Sequence, residues 1–125
     1  MEISLFFKSI IDQDKSPIVI CDTEHTVIYM NPSAVERYAT AGGKSLVGKS
    51  LLNCHKKSGD VIKEVLNWFA ESTENNSVHT FYNEKENKDV YMVALRDEDL
   101  KLIGYYEKHE YRSNETGKFY DMATP

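Results

Sequence analysis

The chain of 125 residues predicts an α+β domain built on an antiparallel sheet. Three observations carry this. Two short β-branched runs come first, helical periodicities follow, and three alternating runs come last. The connections between them are short and rich in turn formers. At Asn31-Pro32, between the second run and the first short helical stretch, period two gives way to period 3.6.

Ile3, Phe6, Phe7, Ile10 and Ile11 recur at i, i+3, i+4, i+7 and i+8, one apolar stripe on an amphipathic helix. Asp12-Gln13-Asp14-Lys15-Ser16 ends it ahead of Pro17, because proline disfavours helical backbone in the residue before it. A stripe of this kind needs cover, and an apolar patch left exposed marks an interface. A second copy of the chain is the expected cover, which makes these five residues a dimer interface. The domain's own sheet is the alternative.

Strands are predicted over Ile18–Asp22 and 26–31, with Thr23-Glu24-His25-Thr26 as their turn. A short helix over 33–39 follows, capped by Asn31, whose side-chain oxygen can accept a first-turn amide. Pro32 fits the start of that helix, where its missing N–H loses nothing. Gly42-Gly43 breaks it, and 44–57 reads as short helical turns and loop. Ser58 is the candidate cap of a helix running to Ser72, with Val61, Ile62, Val65, Leu66 and Phe69 inward and Trp68 flanking. Strands then occupy 78–83, 89–96 and 100–111. The charged stretch Glu84-Lys85-Glu86-Asn87-Lys88-Asp89 reads as a solvated hairpin turn. Gly104 inside the last strand signals a bulge or a close backbone approach. The expected organisation is an N-terminal helix (1–15), one domain (16–111) and a polar tail (112–125).

Hydrophobic content of 41% and charged content of 28% suit one globular domain, and the net charge of −5 argues against nucleic acid or an anionic membrane as partner. No apolar run reaches the roughly 20 residues of a membrane span, and the N-terminus lacks signal-peptide features. A cytoplasmic protein is expected. Cys21 and Cys54 are then read as thiols rather than a disulfide. No Walker loop, no G-x-G-x-x-G and no H-E-x-x-H occurs, and no enzyme activity is expected.

The ordered set of strings Ser16-Pro17-Ile18-Val19-Ile20-Cys21-Asp22, Val27-Ile28-Tyr29-Met30-Asn31-Pro32 and Val47-Gly48-Lys49-Ser50-Leu51 resembles the PAS domain family. The resemblance covers residues 15 to 111. It implies a five-stranded antiparallel sheet of order 2-1-5-4-3 with helices folded over one face. It also implies a sensory or signalling module, with a ligand cavity walled by the long helix.

Asn53-Cys54-His55, just before that helix, is similar to a bacterial PAS group that often carries Asn-Cys-His-Pro, although Lys56 stands here in place of proline. Imidazole and thiolate both ligate haem iron, so His55 is the candidate axial ligand if haem is the cofactor. A flavin is disfavoured: the residues after Asn53-Cys54 are His55-Lys56-Lys57, not the Arg-Phe-Leu-Gln of light-oxygen-voltage domains. The candidate cofactor-binding set is Cys54 and His55, Val65 and Phe69 of the long helix, and Tyr29 or Tyr38 as hydroxyl donors. Tyr91 and Val93, with Leu95, are expected to supply the sheet wall. Their neighbours Val90, Met92 and Ala94 are equally apolar, and a one-residue slip exchanges the two sets. His25 is expected to be solvated in its turn, and His79 and His109 to be paired at the surface. A signalling partner protein is expected as well as a second copy. The alternative to ligand binding is a ligand-free dimerisation or docking module with a packed core.

Overall fold

The computed structural model describes residues 3–54 and 58–120, without the side chain of Cys54. Helix α1 (Ile3–Gln13) leads into the hairpin β1 (Ile18–Asp22) and β2 (Val27–Met30). Next come α2 (Pro32–Arg37), two 3-10 turns, α3 (Leu51–Cys54) and α4 (Gly59–Glu71). Strands β3 (Ser77–Asn83), β4 (Lys88–Arg96) and β5 (Leu102–Tyr111) complete the sheet. All neighbours are antiparallel and the order is β2-β1-β5-β4-β3, the order the resemblance implies. No described helix is long and apolar enough to cross a membrane.

Register sorts the side chains of the sheet into two faces. Val19 pairs with Glu107, Cys21 with Tyr105, Met92 with Glu107 and Val90 with His109. These residues are buried beneath α2 and α4, together with Met30, Ala34, Ile62 and Phe69. Ile18, Ile20, Tyr106 and Leu95 point to the opposite face, where Ile10 and Ile11 of α1 close a second, smaller cleft. Gly104 sits opposite both Asp22 and Leu95, and a Cβ there would stand 2.1 Å from the Cys21 carbonyl oxygen. A close backbone approach is therefore why glycine stands in this strand.

Asn31 is fully buried and does more than cap a helix. Its Oδ1 accepts from Ala34 N and Ile18 N, both at 2.9 Å. Its Nδ2 donates to the carbonyls of Ile11 and Ser16 at 3.0 Å and of Asp14 at 3.3 Å. One side chain thus ties the end of α1, the start of β1 and the start of α2. At the other end of the molecule, Arg96 donates to the carbonyls of Phe69, Ser72 and Asn75. The Phe69 carbonyl is one that the end of α4 leaves without a helical partner, and Ser72 and Asn75 lie in the turn that follows, so the arginine anchors the end of α4 to β4. Ser58 precedes α4 as expected but makes no side-chain capping bond.

Four expectations need correction. Val90 and Met92, with Ala94, face the helices, whereas Tyr91, Val93 and Leu95 lie on the other face. Lys88 belongs to β4, not to a solvated turn, and it is buried together with Asp89, where the predicted strand begins. His25 is half-buried rather than simply solvated: its Nδ1 lies 2.8 Å from the hydroxyl of buried Tyr105. His109 is buried on the helix-covered face, not paired at the surface.

Candidate functional site

A cleft of about 400 Å³ opens between the sheet and the helices. Its floor is β4 and β5: Lys88, Val90 and Met92 beside Glu107 and His109. Arg37 and Tyr38, at the end of α2, form one wall, and Val61 and Ile62 of α4 another. Thr80, Phe81 and Asn83 of β3 form the rim. A β-bulge between His79 and Phe81 turns Phe81 into register with Val90, which places an exposed aromatic ring at the mouth.

The polar floor is a connected network. The Lys88 ammonium, 2% exposed, has no lone pair, so it donates to His109 Nδ1 at 3.1 Å. That places the imidazole proton on Nε2, which lies 3.4 Å from Glu107 Oε1 and 3.4 Å from the Tyr38 hydroxyl. Lys88 also reaches Glu86 Oε2 at 3.1 Å, and Arg37 Nη2 donates to the same oxygen at 2.7 Å. Burial pushes the Glu86 carboxyl up, but the Lys88 hydrogen bond and the charges of Lys88 and Arg37 outweigh it, leaving a net downward shift. Buried charges are costly unless paired, and here lysine, histidine and glutamate satisfy one another.

The residues expected to line a cavity are distributed unevenly. Tyr38 lines the cleft. Phe69 is fully buried in the core and Val65 packs against that core. Tyr29 faces α1, where its hydroxyl donates to Asp12 and its ring lies under the Lys8 ammonium. Tyr91 and Val93 are on the face away from the cleft. His55 and the Cys54 side chain lie outside the described residues. Sequence reasoning missed Lys88, Glu107 and His109. One signal for them existed: alternation along 88–92 and 105–109 puts each on the same face as buried apolar neighbours. Among the described residues no cluster of His, Cys, Asp or Glu could hold a metal ion. His79 pairs with Asp89 at 2.8 Å on a half-exposed edge, as expected.

No family model and no curated protein matches the chain. Solved structures do. A PAS domain from Colwellia psychrerythraea superposes with a TM-score of 0.65 at 12% identity, covering 88% of this chain and 97% of that one. A sensory box sensor histidine kinase from Vibrio cholerae gives 0.59 at 15% identity, over 87% and 90%. The Aer2 receptor from Vibrio cholerae, described as a dual PAS-haem oxygen sensor, gives 0.57 at 17% identity, over 78% and 95%. The chain has the PAS fold.

Proposed function

We propose that this chain is a non-catalytic sensory module that holds a small molecule in the cleft between sheet and helices. The observation that carries this reading is the floor of the cleft. Three ionisable side chains, Lys88, Glu107 and His109, are buried there beside open volume rather than closed over by packing. Apolar walls with a few convergent polar groups are what a small-molecule site needs. The sensor kinase and oxygen sensor among the similar structures support a signalling role.

Both ring nitrogens of His109, the histidine of the described lining, face other groups, so it is not open to haem iron. The preferred axial ligand for haem stays His55, outside the described residues. The test is native mass spectrometry of the purified protein with a near-ultraviolet to visible scan, followed by thermal-shift screening of small metabolites. A bound mass or a saturable shift supports the reading. An unliganded mass, no shift with any compound and no response to haemin would overturn it.

A second reading, dimerisation or docking without a ligand, is favoured by α1. None of its residues is buried, and Ile3, Phe6, Phe7 and Ile10 are each more than half exposed. Ile10 and Ile11 of the stripe line the smaller cleft on the sheet's outer face. Burying several such side chains against a second copy contributes about 1.5–3 kcal/mol each, enough to hold a dimer. Light scattering is expected to give a dimer for the full chain and a monomer after deletion of residues 1–14. A full chain that stays monomeric at high concentration would remove this reading.

A further inference from the structure

We infer that the molecule held in the cleft is a small organic acid: one carboxylate on an apolar body. The inference rests on the cleft being a ligand site, and it is drawn from which hydrogen-bonding groups in the lining are already used.

Lys88 carries three N–H donors, of which His109 Nδ1 and the Glu86 carboxylate take two. Arg37 carries five, and one goes to Glu86. The acceptors are more fully committed. Glu107 faces the Nε2–H of His109, and Asn83 is spent on the hairpin, its Oδ1 accepting from Glu86 N and its Nδ2 donating to the Glu86 carboxylate. Thr80 donates to the Val90 carbonyl. The open donors of the lining therefore sit on two cations, four N–H groups on Arg37 and one on Lys88, whose ammonium also lies 5.7 Å from the Tyr111 ring, while Glu107, the carboxylate of the lining, is turned toward His109 on the buried floor.

The placement of those cations matches the shape of such a ligand. Lys88 opens β4, and the Arg37 guanidinium reaches the same Glu86 oxygen, so both charges stand at one end. Further along β4 the lining turns apolar: Val90 and Met92 on the floor, Val61 and Ile62 above, Phe81 at the mouth. A carboxylate can take charge-assisted bonds from Lys88 and Arg37, and a planar guanidinium suits two carboxylate oxygens. The ligand's body would cover Phe81 and Val61, which are otherwise large apolar side chains left in water. An amine would bring a third cation to an end where Lys88 and Arg37 already share the one Glu86 carboxylate, and a wholly apolar molecule would bury the open donors without partners.

The test is calorimetry and thermal shift on the full chain, with hexanoate, phenylacetate and indole-3-acetate as probes, each against its primary amide and the corresponding amine. Saturable binding is expected for at least one acid, with its amide and amine weaker by about tenfold or more. Arg37→Gln, at a surface position, is expected to weaken the acid by a similar factor while leaving the weak amide unchanged. Lys88→Met keeps the buried stem and removes the charge. If that variant does not fold, Arg37→Gln and the matched ligands decide the question. Amides or amines that bind as tightly as their acids would overturn the assignment. So would an acid that is insensitive to Arg37→Gln, or a co-purified ligand that is cationic or carries no acid group. Those last outcomes leave the cleft a ligand site. A protein that binds nothing at all also removes the function proposed above.

Discussion

Replacing Asn31 with alanine is expected to cost far more than an ordinary helix cap. An exposed cap contributes about 0.5–2 kcal/mol. Here the same side chain satisfies the buried Ile18 N–H as well as the Ala34 N–H, and three carbonyls at the end of α1 and in the following loop. Each buried group left without a partner costs about 1–3 kcal/mol, and water can recover part of that near the α1 loop. The expected total is about 3–5 kcal/mol, at the upper end for single substitutions. For a chain of this size that is a fall in Tm of about 10–20 °C. Urea denaturation followed by tryptophan fluorescence and circular dichroism reads it directly. Asn31→Asp separates the two halves of the role. It keeps the acceptor for Ile18 and Ala34 but turns a carboxylate toward three carbonyls. Its stability should recover as pH falls, because the protonated carboxyl regains one donor. A loss of less than 2 kcal/mol in the alanine variant, with no pH response in the aspartate variant, would show that the bonds to Ile11, Asp14 and Ser16 do not form.

Gly104→Ala forces a methyl group to 2.1 Å from the Cys21 carbonyl between central strands, so backbone must shift. A loss of about 1–3 kcal/mol or more in the urea midpoint is expected, and an unchanged midpoint would refute this register. Stability should also decline as pH falls below about 6.5, the ordinary value for His25, because burial and then the Lys63 charge push its imidazole down in the fold. The unfolded chain takes up that proton first, so the loss begins at the ordinary value and continues through the depressed one. His25→Asn, which tolerates the positive φ of 68° there, should flatten this part of the pH profile. An identical slope in both proteins would show that His25 does not carry it.

The α+β class, the five strands, the two longer helices and the cap at Asn31 were legible in the sequence. Each rests on local physics: side-chain period, proline geometry and the hydrogen-bonding reach of a short polar side chain. The strand order came from family resemblance, because which strands pair is a non-local choice that periodicity does not record. The face of β4 was not legible either. Val90, Met92 and Ala94 alternate with Tyr91, Val93 and Leu95, both sets are apolar, and only the weight of α2 and α4 on one side decides between them. The same ambiguity hid the site. Lys88 sits at the end of a charged run and reads as solvated, and His109 reads as one more strand histidine. Tertiary structure brings them within 3.1 Å of each other, 21 positions apart in the chain, and places Glu107 and Tyr38 around them. A charge is buried by its partners, and those partners become neighbours only once the sheet has formed.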